Sequence, residues 1–122
     1  MKKSATSYVV LYKFSFESAH QLPNHPTCSV VHGHSYRGEI KVTSSKLNKE
    51  GFVVDFGLLK DMTSRYDHAS ILTKTAEELS EEIGTSVLAQ LARQDNQDQI
   101  SEVLVILWET EKGCAKWSWR SG

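Results

Sequence analysis

Apolar and polar residues alternate through the second half of residues 8–17, where Tyr12, Phe14 and Phe16 are set against Lys13, Ser15 and Glu17. A period of two predicts a half-buried strand, because successive side chains leave a strand on opposite faces. The alternation returns over 34–43, with Tyr36, Ile40 and Val42 opposed by Arg37, Glu39 and Lys41, and predicts a second strand. Residues 18–34 have no period. They hold both prolines (Pro23 and Pro26), Asn24, Gly33 and four of the five histidines. That composition reads as a loop, long for a chain this small, and long ordered loops in compact domains are often functional.

Further on the period changes. Asn48-Lys49-Glu50-Gly51 forms a turn and Phe52-Val53-Val54 a short extended piece, after which Asp55 is placed to cap a helix running to about Tyr66. Thr75-Ala76-Glu77-Glu78 fits a capping box, and Leu79, Ile83, Val87 and Leu91 then recur at helical spacing. Arg93 to Gln99 is a polar linker. Glu102 to Thr110 reads as a strand around Val103-Leu104-Val105-Ile106-Leu107, and Glu111-Lys112-Gly113 turns the chain into a last strand with Ala115, Trp117 and Trp119 on one face. The order ββααββ argues for the α+β class, an antiparallel sheet with both helices on one face.

Length and charge narrow the function classes. A chain of 122 residues is one domain, 1–122, able to bury a real core. Its 14 basic and 15 acidic side chains give a formal charge of -1, which provides no reason to expect nucleic acid or an anionic membrane as a partner. No apolar run approaches the roughly 20 residues that span a bilayer. Met1-Lys2-Lys3 resembles the start of a signal peptide, but Tyr8 to Tyr12 is too short for its apolar region and Lys13 follows at once. The expected location is the cytoplasm. Two distant cysteines, Cys28 and Cys114, do not suggest a disulfide framework. Cys114, in a strand pattern, is expected to be a buried small apolar residue.

The histidines carry the chemistry. Zinc accepts neutral imidazole nitrogen, and catalytic zinc commonly has three protein ligands plus a position for water or substrate. His32-Gly33-His34 enters a strand, and alternation places both rings on one face, where a single ion can bridge them. His20 would reach the same edge from the end of the preceding strand. An H-x-H pair alone is as often a packed or solvated pair; His20, Cys28 and the long loop shift the balance toward metal. His25, between Asn24 and Pro26, is the spare histidine.

Cys28 has two roles open, a fourth ligand that closes a structural site or a free thiolate acting as nucleophile or base. Asp67-His68 could be a proton relay if the aspartate orients the imidazole; the bland reading is a histidine at a helix end. Glu109, at the end of a strongly apolar strand, either emerges into solvent or accepts hydrogen bonds from a ligand.

Taken jointly, the residues resemble the 6-pyruvoyltetrahydropterin synthase superfamily. The matching segments are Phe16-Glu17-Ser18-Ala19-His20, Cys28-Ser29-Val30-Val31-His32-Gly33-His34-Ser35-Tyr36, Gly51-Phe52-Val53-Val54-Asp55-Phe56-Gly57-Leu58-Leu59-Lys60, Asp67-His68, Thr75-Ala76-Glu77 and Trp108-Glu109-Thr110. They run in the family's order along nearly the whole chain. The resemblance implies the tunnelling fold (T-fold), with subunits in trimers that stack as dimers of trimers and active sites between subunits. It implies zinc on His20, His32 and His34, a catalytic thiol at Cys28, a relay of Asp67 and His68, and pterin binding by Glu109 and Thr75.

Cys28 and His32 are separated as C-x3-HGH, which resembles the 6-carboxytetrahydropterin synthases of the queuosine (7-deazaguanine) pathway; the pyruvoyl-forming branch resembles C-x5-HGH. The implied activity converts 7,8-dihydroneopterin triphosphate to 6-carboxytetrahydropterin, with release of acetaldehyde and triphosphate. A pyruvoyltetrahydropterin synthase, a structural zinc module and a non-catalytic pterin-binding relative are the alternatives. The chain departs from the family where Tyr66 precedes Asp67, where Thr73 follows Leu72, and in the short connection before Thr75. Lys13, Arg37 and Lys41 are the candidate charges for a triphosphate.

Overall fold

A computed structural model describes residues 5–22, 32–69 and 72–122, with backbone alone at His20 and His32. His25 and Cys28 lie outside the described residues. Four strands, β1 (Tyr8–His20), β2 (His32–Ser44), β3 (Ile100–Trp108) and β4 (Cys114–Arg120), form one sheet in the order β1-β2-β3-β4. Every neighbouring pair is antiparallel. Between β2 and β3 come α1 (Phe56–Ser64) and α2 (Ala76–Leu91), with a short 3-10 turn at Gln97–Gln99 before β3. The ββααββ order is therefore the one the hydropathy pattern predicts.

The two faces of the sheet differ as alternation requires. Phe14 and Phe16 of β1, Tyr36, Ile40 and Val42 of β2, and Val103, Val105 and Leu107 of β3 are buried. Leu59 and Met62 of α1 and Leu79, Ile83, Val87 and Leu91 of α2 close the same core from above. Phe16 stacks on Tyr36 at 4.6 Å between ring centroids. Each fully buried apolar side chain of this kind contributes about 1.5–3 kcal/mol from area removed from water.

Two close approaches set the spacing. A Cβ at Gly84 of α2 would come within 2.1 Å of the Trp117 ring on β4, and one at Gly38 of β2 within 2.3 Å of the Phe14 ring. Both positions need glycine because an aromatic ring occupies the side-chain space.

The strands are longer than their alternation indicates. The β1–β2 ladder continues through Ser18↔His34 and Ala19↔Gly33 to His20↔His32. Serine, alanine and glycine erase the polar–apolar contrast there while the backbone goes on pairing, so both ends of the predicted 18–34 loop are strand. Helix α1 ends at Ser64 rather than near Tyr66. The Arg65 N–H donates to Thr63 O at the cap and the Tyr66 N–H to the same oxygen at 3.2 Å, and that tightened turn delivers the Tyr66 ring to the core. Strand β3 sits two residues earlier than predicted, because Thr110 Oγ1 accepts the Lys112 and Gly113 N–H groups and closes a turn there. Cys114 is corrected from buried to exposed. With Ala115 facing the core, its neighbour must face the other way.

Candidate functional site

Register brings the histidine positions together. Counting by twos from Phe16 and Tyr36, both buried on the helix-bearing face, places Ser18 and His20 on β1 and His34 and His32 on β2 on that same face. His20 and His32 are direct cross-strand partners, and His34 is opposite Ser18. Three imidazole-bearing positions thus cluster at one end of the sheet, on alternate rungs of one ladder.

Glu109 joins them from the other side. It follows the last residue of β3, and its Oε1 lies 3.4 Å from His34 Nε2, with the two side chains only 27% and 18% exposed. The end of β3 neighbours the start of β2 through the Arg37↔Trp108 pair, so the carboxylate is delivered beside the imidazole by the β2–β3 register. The His34 ring also meets Tyr36 edge-on at 5.7 Å.

The Asp67–His68 pair is held against the outer edge of β1. His68 donates its backbone N–H to Glu17 O at 2.6 Å, and Asp67 Oδ1 accepts the Glu17 N–H at 2.9 Å. Farther along, Leu72 N–H donates to Ala19 O and Gln21 N–H to Leu72 O. His68 takes a left-handed conformation, φ 51°. Asp67 Oδ1 is 3.2 Å from His68 Nδ1, and the His68 side chain is 79% exposed. The Glu17 N–H, and after it the His68 ring, hold the Asp67 carboxyl below the usual carboxylate range.

Glu17, Ser18, His34, Ser35 and His68 line a common cleft of about 430 Å3. His34, Glu109 and the Asp67–His68 pair therefore belong to one end of the molecule. Thr75 stands apart from the cleft. Its hydroxyl accepts the Glu78 N–H at 3.1 Å, and its own N–H donates to Glu78 Oε1 at 3.0 Å, the capping box of α2. The candidate triphosphate charges divide. Lys13 and Arg37 line another cleft, about 510 Å3, with Trp108, while Lys41 pairs with Glu102 at 3.0 Å.

Sequence reading missed Glu17 and Tyr66 as parts of this site. Glu17 acts through its backbone, and its carboxylate accepts the Ser35 hydroxyl at 2.6 Å across the ladder, a pairing visible only once register is known. The buried Tyr66 packs on Phe16 at 5.5 Å and donates its hydroxyl to Glu82 at 2.6 Å, so the residue that departs from the family pattern is built into the core.

A family model described as 6-pyruvoyl tetrahydropterin synthase matches residues 10–118, and the chain belongs to that family. A 6-carboxy-5,6,7,8-tetrahydropterin synthase of Rickettsia conorii is 34% identical over 77 residues, covering 58% of this chain and 56% of the relative. One from Synechocystis is 45% identical over 58 residues, covering 43% and 45%. The chain thus aligns with about half the length of these relatives. A putative 6-carboxy-5,6,7,8-tetrahydropterin synthase of Archaeoglobus fulgidus is 29% identical over 103 residues, 73% of this chain and 89% of the relative. Among solved structures, 6-pyruvoyltetrahydropterin synthase from Plasmodium vivax superposes with a TM-score of 0.71 at 15% identity, covering 95% of this chain and 99% of that one. The Caenorhabditis elegans enzyme superposes with a TM-score of 0.64 at 18% identity, covering 99% and 100%. At such identities the agreement is one of fold, and the fold is the family's T-fold.

Proposed function

We propose that the chain is a zinc-dependent 6-carboxy-5,6,7,8-tetrahydropterin synthase of queuosine biosynthesis, a carbon–carbon lyase acting on 7,8-dihydroneopterin triphosphate. The observation that carries the reading is the convergence of His20, His32 and His34 positions on one sheet face, with the Glu109 carboxylate 3.4 Å from His34. The names of the Rickettsia and Synechocystis relatives and the C-x3-HGH spacing support the carboxy-forming branch.

The donor set fits zinc. Three imidazoles are ligands zinc prefers, and the three positions share one face of the β1–β2 ladder by alternation. His20, His32 and His34 would hold the ion, which would supply Lewis acidity toward the substrate's side-chain hydroxyls. Cys28, by its place in the family motif, serves as the thiolate base that removes a side-chain proton. Asp67 accepts at the Nδ1 side of His68 and so directs Nε2 toward the substrate as the group that exchanges a second proton. Glu109 accepts two N–H groups from the guanidine-like edge of the pterin, a charge-assisted pair that fixes the ring. Cleavage of the side-chain carbon–carbon bond then follows a retro-aldol course, from an alkoxide on the carbon β to the carbonyl or imine that takes up the electron pair.

Subunits would assemble as trimers or dimers of trimers with sites between them, consistent with the exposure of the His68 ring. Incubating the zinc-loaded chain with 7,8-dihydroneopterin triphosphate tests the reading. Acetaldehyde and 6-carboxytetrahydropterin are expected. A 6-pyruvoyl product would assign the other branch, and pterin binding without consumption would mark a non-catalytic relative.

A further inference from the structure

The segment that carries Asp67 and His68 is fastened at both ends by one side chain of a different element. On the near side, Tyr66 inserts its ring beside Phe16 and donates its hydroxyl to Glu82 Oε1 of α2 at 2.6 Å. On the far side, Lys74 Nζ bonds the other oxygen, Glu82 Oε2. Lys74 is the last residue before the Thr75 cap, so the carboxylate joins the exit of α1 to the entrance of α2. Burial and the Glu82 hydrogen bond push the Tyr66 hydroxyl pKa upward, while Lys74 and then Tyr66 lower that of Glu82. The tyrosine stays a donor and the glutamate an acceptor throughout the neutral range.

Between those fastenings the described residues are held to the β1 edge, with Leu72 N–H donating to Ala19 O and Gln21 N–H to Leu72 O. His68 N–H to Glu17 O and the Asp67 carboxylate to the Glu17 N–H register the pair on the same edge. His68 sits at φ 51°, a conformation disfavoured for residues with a Cβ that persists only where the surroundings over-determine it. Release of either end would let this residue relax toward the ordinary right-handed or extended regions and swing the imidazole out of the cleft it shares with His34.

We propose that Glu82 is a positioning residue for the Asp67–His68 pair, clamping the segment through Tyr66 and Lys74 so that the His68 imidazole is presented to the His34 end of the sheet. The role of the pair in proton exchange rests on the function proposed above; the clamp itself does not. A leucine-like side chain at position 66 could fill the same core space but has no hydroxyl to donate to Glu82.

Glu82→Ala and Tyr66→Phe separate the clamp from general packing, since the second keeps the aromatic ring. In both, amide exchange at His68 and Leu72 is expected to quicken by on the order of tenfold while Val103 and Val105 in β3 keep their protection. The 15N shifts of the His68 imidazole should move, and kcat on dihydroneopterin triphosphate should fall on the order of tenfold with KM within about twofold, as for a displaced catalytic group. Glu82→Gln, which retains an acceptor for Tyr66, should recover part of the loss. Unchanged exchange and unchanged His68 shifts in both variants would overturn the clamp. Altered exchange with full kcat would overturn its positioning role. A wild-type chain inactive on this substrate sinks the functional reading instead, and lost protection in Glu82→Ala would still uphold the clamp on His68.

Discussion

Asp67 illustrates what one side chain does for the site. Its carboxylate accepts an N–H from the exposed edge of β1, and that bond is the main reason its pKa is depressed. A group whose folded pKa is lowered stabilises the folded form above its unfolded pKa, and the contribution disappears as pH falls toward the folded value. Below about pH 4, the ordinary carboxylate range, the Glu17 amide is expected to lose exchange protection ahead of the β3 amides. Asp67→Asn should remove that acid dependence while keeping an oxygen in place, and hydrogen exchange across the acid range reads both effects.

The metal assignment is also a matter of single residues. His32→Ala should release zinc, and full zinc content by elemental analysis would remove the histidines from the assignment. Cys28→Ala should keep zinc and lose turnover; loss of the metal in that variant would make Cys28 a structural ligand. Glu109→Ala should weaken pterin binding, followed by fluorescence titration, with zinc retained. The histidines and Cys28 are legible as candidate chemistry because their residue types are unusual and close in sequence. Glu109 reads equally as solvent-facing or ligand-binding, and only its 3.4 Å approach to His34 gives it a place.

At the scale of elements, α2 combines a local signal with a tertiary one. Its capping box lies within four consecutive residues, so Thr75-Ala76-Glu77-Glu78 is readable from the sequence alone. Thr75→Ala is expected to cost about 1 kcal/mol in a urea unfolding measurement. A larger loss would indicate a role for Thr75 beyond the cap. Gly84 carries no such signal, since helical periodicity alone treats it as a weak helix former. The Trp117 ring against its Cα makes Gly84→Ala an overpacking change of about 1–3 kcal/mol, although alanine is the better helix former. A neutral or stabilising effect would mean that Trp117 can move aside. The strand ends show the same division, because pairing extends past the residues whose hydropathy alternates.

For the whole molecule, the sheet ends in β1 and β4, each with one strand neighbour among the described residues. The second half of the β1 edge is met by Asp67, His68 and Leu72, while Tyr8, Val9 and Leu11 near its start are exposed apolar residues. Edges and apolar surface of this kind favour association. Sedimentation velocity is expected to give a trimer or hexamer, and a monomer at micromolar concentration would exclude sites built between subunits. None of the helices in the described residues is long and apolar enough to cross a membrane.

The amino-acid sequence by itself determined the class and order of elements, the capping of α2, and the identity of the metal-type side chains. Those depend on periodicity and on chemistry carried by neighbouring residues, which need no knowledge of distant contacts. Tertiary structure decided which of those side chains meet. The β1–β2 register puts His20 across from His32, and the β2–β3 register brings Glu109 to His34. The edge of β1 receives Asp67 and His68 through backbone groups of Glu17, which carry no residue-specific signal. The Tyr66–Glu82–Lys74 clamp joins residues 16 and 8 positions from Glu82 through a single carboxylate, and the Tyr66 half of it exists only when the exit of α1 lies against α2.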